Sequence, residues 1–215
     1  MREPRFSMEE AIRFGWDSVK ANKAYFIWMI LLAWLVPLVP QLLSSYFDKK
    51  QLFAFLFFYL LAVVLSSLIA AGLTKIYLGF CDFIKLKYAT LFQHWRLAWK
   101  LFVAGLLCGL VVVFGLLLLI VPGIIFAIRL QFFGYLIVDK DLGIIAALNK
   151  SFAITRGSTF NLLLFGAVYC GILMLGILCL FVGLLIAIPT VGIASAHVYR
   201  QLMKREEGAV PSGVS

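Results

Sequence analysis

The chain is 215 residues long, 64% hydrophobic and only 13% charged, with a formal net charge of +9 and a mean hydropathy of +1.05. A soluble domain carries about 25% charged residues, so this composition excludes an ordinary water-soluble fold and puts the chain in a bilayer. The positive balance calls for no nucleic acid partner, because its residues fall where positive-inside insertion would put them.

Residues 1–23 mix acids with bases, and the apolar run that follows is too long, and too poor in small-residue cleavage sites, for a removable leader. Ser7-Met8-Glu9-Glu10 has the S-x-x-E form of a capping box, and Met8, Ile12, Trp16 and Val19 recur at helical spacing among charges. That pattern predicts an amphipathic helix. Six apolar stretches follow, near 24–45, 52–74, 101–121, 124–139, 161–181 and 184–202. Each approaches the ~20 residues that cross ~30 Å of hydrocarbon as a helix.

As one helix, Leu101 to Asp139 would measure close to ~60 Å, about twice the hydrocarbon core, so it must fold back. Pro122 has no N–H and Gly123 tolerates unusual dihedrals, which sets the expected tip at Val121-Pro122-Gly123. The same reasoning divides Asn161 to Gln201 near Val182-Gly183, while Pro37, Pro40 and Pro189 read as kinks or helix ends within spans. The expected fold is all-α and polytopic: six transmembrane helices paired as three hairpins. It forms a single integral membrane domain over 1–215, with a cytoplasmic N-terminus (1–23), a six-helix region (24–202) and a tail (203–215).

Lys and Arg supply the orientation. Arg2, Arg5, Arg13, Lys20 and Lys23 precede the first span, and Lys75, Lys85, Lys87, Arg96 and Lys100 lie between the second and third. Lys140, Lys150 and Arg156 separate the fourth from the fifth, and Arg200, Lys204 and Arg205 end the chain. The opposite side has only Lys49 and Lys50. The bias places both termini in the cytoplasm of a cell whose cytoplasmic (inner) membrane the chain crosses several times.

Two further segments repeat the amphipathic design of the N-terminus. Phe92, Trp95 and Trp99 interleave with His94, Arg96 and Lys100 before span three, and Ile144, Leu148 and Phe152 with Asn149, Lys150 and Arg156 before span five. Three interfacial helices are therefore expected, anchored by Trp16, Lys20, Trp95, Arg96, Trp99, Lys150 and Arg156 at headgroup depth. Anionic lipid is the partner such residues suit, each basic group adding on the order of 1 kcal/mol near an acidic leaflet. A protein partner or a second copy of the chain is the other reading.

The acids all lie outside the spans or at their ends, so no paired carboxylates offer intramembrane proton relay or metal hydrolysis. Ser195 and His197 sit two apart on one helix and point in different directions, which rules them out as nucleophile and base. No metal-ligand spacing or cofactor loop occurs, and the four cysteines read as packing residues. The expectation is a non-enzymatic protein without cofactor or metal.

Arg129 is the one charge inside a span. It stands roughly 9 Å below the expected hairpin tip, at a cost of about 2.5–3.5 kcal/mol if it lay at a helix centre. It either points into the bundle to bind a lipid phosphate or an anionic substrate, or it snorkels to headgroups or meets freed carbonyls of a broken helix.

The succession 120-IVPGIIFAIR-129, 137-IVDKDLGIIAALNKSFAITRG-157, Pro189 and 196-AHVYRQL-202 resembles a group of prokaryotic six-helix membrane proteins of unassigned function. The membrane domain of membrane-anchored glycerophosphoryl diester phosphodiesterases is similar to them. The positions that carry the likeness are Pro122, Gly123, Arg129, Asp139, Ala147, Ser151, Gly157, Pro189 and Tyr199. The resemblance implies a helical membrane domain and no catalysis, since the hydrolytic relatives act through an appended soluble domain. Ala147 and Ser151, small and four apart, suit close packing of the third interfacial helix, and Gly157 suits its end. Gly105, Gly109, Gly166 and Gly171 are expected to let spans approach closely. The function expected is that of a lipid-interacting or assembly component, with a transporter or channel for a small or lipidic solute as the alternative, using Arg129 and a path past Gln41, Ser66, Ser67 and Thr74.

Overall fold

In the computed structural model, residues 6–46, 51–84, 91, 95–178 and 183–209 are described, and every regular element among them is helical. In chain order these are α1 (Met8–Ala21), α2 (Lys23–Tyr46), α3 (Leu52–Cys81), α4 (Trp95–Leu118), α5 (Ile120–Leu130), α6 (Phe133–Lys140), α7 (Ile144–Ile154), α8 (Thr159–Leu178) and α9 (Leu184–Ala209). Five stretches of the described residues are long and apolar enough to cross a membrane: Lys23–Ser45, Leu52–Cys81, Trp95–Leu118, Val121–Lys140 and Thr159–Leu178. The fourth is α5 and α6 together, broken at Gln131 and Phe132.

The C-terminal helix stands apart from those five for a physical reason. Its inner turns carry Thr190, Ser195, His197, Tyr199, Arg200 and Gln201, yet Thr190, Ala194, Val198 and Tyr199 are buried. It packs against α1, α2, α3 and α8, so neighbouring helices meet much of its polarity. It also runs to Ala209, past the boundary at 202 expected for the tail; residues 210–215 lie outside the described part.

α1 begins where the capping motif predicts. Ser7 is extended (φ −91°, ψ 110°) and its Oγ accepts from the Glu10 N–H at 3.2 Å, satisfying one of the orphan donors of the first turn. In a complete capping box the third helical residue, Glu10, would take the Ser7 N–H in return; here Gln201 Oε1 of α9 takes it, at 3.2 Å. The cap thus ties the first helix to the last. Ala11, Gly15 and Val19 face inward while Glu9, Glu10, Arg13, Asp17 and Lys20 are exposed.

Two expected features move. The tip of the second hairpin is Leu119, not Val121-Pro122-Gly123. Leu119 is extended (φ −163°, ψ 139°), its N–H donates to the Gly115 carbonyl at 3.0 Å, and its own carbonyl accepts from the Gly123 N–H at 3.4 Å. Pro122 lies in the first turn of α5, where a missing N–H costs nothing. The separate surface helix expected before the third span is likewise not seen among the described residues: Trp95, Arg96 and Trp99 form the opening turns of α4 itself, and Phe92 and His94 lie outside the described residues. Val182 of the other expected tip is also outside them, and Gly183 is the turn residue that precedes α9.

The close glycine contacts fall elsewhere than at Gly105, Gly109, Gly166 and Gly171. A methyl carbon on Gly109, Gly166 or Gly171 would meet nothing within 4 Å. At Gly15 it would collide with the Thr190 carbonyl oxygen, at Gly72 with Leu91, and at Gly192 with the Tyr77 ring. Close approach at glycine is therefore found at α3 and α9, in the core, and again at Gly115 and Gly123 beside the α4–α5 tip. In α3 the buried positions begin only at Ala62 and run to Gly79.

Candidate functional site

The centre of the structure is the break between α5 and α6. A helix that stops in apolar surroundings leaves carbonyls and N–H groups that nothing but protein can satisfy. α7 supplies the partner. Ser151 Oγ donates to the Arg129 carbonyl at 2.9 Å and accepts from the Phe132 N–H at 3.2 Å, and Thr155 Oγ1 lies 3.2 Å from the same carbonyl. Ala147, Ser151, Ile154 and Thr155 are all buried, which is the close packing expected of the Ala147 and Ser151 pair. Gly157, at φ 79°, adopts the left-handed conformation that turns the chain from α7 into α8 at least cost.

Arg129 is held at this break. Its guanidinium carbon sits 3.6 Å from the centre of the Phe152 ring, a contact worth about 0.5–1 kcal/mol when exposed and about 2 when dry. Its Nε is buried and has no hydrogen-bond partner among the described residues. Neither Phe152 as its platform nor Ser151 as the closer of the break is legible from spacing around Arg129, because both arrive from a helix some twenty residues later.

A second cluster lies where α3, α6 and α9 meet. Arg200 donates through Nη2 to Asp82 at 2.6 Å and through Nη1 to Asp139 at 2.9 Å, and the Tyr199 hydroxyl donates to Asp139 at 2.9 Å. The side chains of Asp139 and Arg200 keep only 12% and 24% of their surface exposed, against 41% for Asp82. Asp139 is therefore the more buried partner, although Asp82 is the closer one. Around it, Lys100 pairs with Asp141 at 2.7 Å, Lys150 with Glu206 at 2.7 Å and Lys140 with Glu207 at 3.6 Å. These pairs gather the ends of α3, α6 and α9 and the start of α4 into one ionic end of the bundle. A signal for the cluster was present: Asp82, Asp139 and Arg200 all fall on one side of the expected topology.

His197 stacks on Phe14 with ring centres 4.8 Å apart, and its Nε2 lies 3.1 Å from Gln201 Nε2. It is a packing residue between α1 and α9. Among the described residues no three of His, Cys, Asp and Glu gather as metal ligands.

The remaining predicted anchors are dispersed. Trp95 and Trp99 are exposed on α4 and, with Phe102, Ala98, Val64 and Ser67, line an apolar recess of about 110 Å³. Trp16 borders a larger apolar groove of about 460 Å³ between α1, α8 and α9, floored by Gly176, Ala187 and Thr190. Lys20, Arg96 and Arg156 are exposed. Neither recess is lined by Arg129, and the hydroxyls of Ser66, Ser67 and Thr74 donate to carbonyls of their own helix, those of Ala62, Val63 and Ala70.

The chain matches no known family, and neither a curated protein nor a solved structure shows significant similarity to it.

Proposed function

We propose that the protein is a non-enzymatic, six-span component of the cytoplasmic membrane that binds anionic lipid, with Arg129 as the headgroup contact and both termini in the cytoplasm. The observation that carries this reading is the guanidinium at the helix break, whose buried Nε–H has no partner among the described residues. Leaving such a donor unpaired costs about 1–3 kcal/mol, more for a charged group. A phosphate that draws the guanidinium off Phe152 recovers that cost through the paired N–H geometry in which arginine excels. Trp16, Lys20, Trp95, Arg96, Trp99, Lys150 and Arg156 then act as anchors at the cytoplasmic headgroups, and α9 serves as the sixth crossing, shielded from lipid by its neighbours.

The transporter reading draws on the broken α5–α6 helix, since discontinuous helices build ion and substrate sites. Two observations weigh against it. The carbonyl freed at the break is occupied by Ser151 and Thr155, and the candidate path residues Ser66, Ser67 and Thr74 turn their hydroxyls onto their own helix.

Native mass spectrometry of the protein released from detergent tests the proposal. The wild type is expected to retain an anionic phospholipid that Arg129→Leu loses and Arg129→Lys keeps in part. Equal retention by the Leu variant, at equal expression and melting temperature, would sink it.

A further inference from the structure

We infer that the α4–α5 hairpin ends inside the membrane, its tip lying among the acyl chains of the leaflet opposite the ionic end and not in water. This placement depends on the chain's being a membrane protein but not on Arg129 or on the direction of insertion.

Composition makes the first case. From Leu101 through Ile128 the only residue that is not hydrocarbon in character is Cys108, so the turn itself has nothing to offer water. At the tip Leu117, Leu119 and Val121 are 79%, 69% and 67% exposed. Side chains of this kind left in water forgo the gain of apolar burial. The α2–α3 connection differs sharply, since it contains Asp48, Lys49 and Lys50.

Length makes the second case. Lys100, paired with Asp141, marks the ionic end of α4. From there to Leu119 is about 28 Å at ~1.5 Å per residue, slightly less than the ~30 Å of hydrocarbon, and any tilt shortens the reach. α3, measured in the same way from Lys75, whose charge also acts on Asp141, to its first residue Leu52, reaches about 35 Å and passes the core. One hairpin emerges on the far side and the other stops short of it.

The turn is built for such a place. In hydrocarbon the backbone must satisfy itself, and this tip reverses the chain on the single extended residue Leu119, with its N–H and carbonyl both paired to helix backbone. Pro122 has no N–H to leave unpaired. Gly115 and Gly123 permit the tightness: a methyl carbon on Gly115 would lie 3.0 Å from the Gly123 Cα, and one on Gly123 would lie 2.5 Å from Leu116 Cγ.

The test uses full-length protein, freed of its four native cysteines, reconstituted in phospholipid vesicles with a nitroxide on Leu119→Cys. Leu117→Cys serves as a second tip site if the first variant folds poorly. Collision with oxygen and with a water-soluble nickel chelate is compared with that at Val113→Cys, in the last third of α4, and Asp48→Cys. The expected result is loss of nickel access at the tip with oxygen access like that of Val113. Nickel access like that of Asp48 overturns the placement. Protection from both reagents with dipolar broadening overturns it too, because a second copy then covers the tip. If Val113 itself reads as aqueous, the failure belongs to the membrane reading and the tip placement falls with it.

Discussion

The Ser151 hydroxyl donates to the Arg129 carbonyl at 2.9 Å, and the same oxygen accepts from the Phe132 N–H, so one side chain of α7 closes both sides of the break between α5 and α6. Ser151→Ala would leave the Phe132 N–H unpaired and the Arg129 carbonyl with Thr155 alone. A loss of about 1–3 kcal/mol follows from one orphaned buried backbone group. Thr155→Val should cost less, because Ser151 remains. Unfolding of both variants in mixed micelles checks the order; a Ser151→Ala protein as stable as wild type would mean that the break needs no outside support.

Arg200 joins the ends of three helices by holding Asp82 and Asp139 at once. Removing one partner of a desolvated pair costs more than the pair contributes, since the remaining charge stays buried. Asp139→Asn should therefore be the more damaging change, lowering stability by about 3–5 kcal/mol, because Asp139 is the more buried acid and also takes the Tyr199 hydroxyl. Asp82→Asn, at a site 41% exposed, should fall within about 1 kcal/mol after solvent screening. Melting temperatures measured in one detergent decide it, and the reverse order would show that Asp82 bears the main interaction.

What was legible in the sequence follows the range of each interaction. The helical class, the first cap at Ser7, the α7 helix and the turn at Gly157 that follows it depend on neighbours in the chain, and periodicity or turn chemistry reveals them. The hairpin tip was displaced because proline is tolerated inside a first turn as well as in a turn proper. The break at Gln131 and Phe132 contains neither proline nor glycine; tertiary partners on α7 support it, so no local rule could find it. Likewise Arg129 stood out as the charge inside an expected span, but Phe152 beneath it and the Asp82–Arg200–Asp139 node are contacts across the fold.

Asp141 should contribute to the acid limb of stability. The hydrogen bond from Lys100, and then the charge of Lys100, hold its carboxyl below its ordinary value of 3.8. A depressed folded value means that the contribution is present above the unfolded value and disappears as pH falls through the folded one. Asp141→Asn, which tolerates the left-handed backbone at φ 49°, should accordingly be less stable than wild type at neutral pH, and the gap should start to close only as pH falls below about 4, the unfolded value. Parallel unfolding series from pH 7 to pH 3 measure this, and a gap that persists unchanged at pH 3 would assign the effect to something other than the charge.

Gly15 is where α1 touches α9 backbone to backbone. A methyl carbon there collides with the Thr190 carbonyl oxygen and comes within 3.2 Å of the Ala194 N–H nitrogen, atoms that cannot rotate away as a side chain would. Alanine ordinarily stabilises a helix interior by about 0.5–1 kcal/mol over glycine, whereas overpacking costs about 1–3 kcal/mol. The clash should win, so Gly15→Ala should destabilise and free α1 to proteolysis. Gly109→Ala in α4, with open space around it, isolates the propensity gain and should stabilise or do nothing. Should limited proteolysis find α1 equally protected in both variants, with equal melting temperatures, then α1 does not depend on this contact and the seating of the first helix on the last would have to be abandoned.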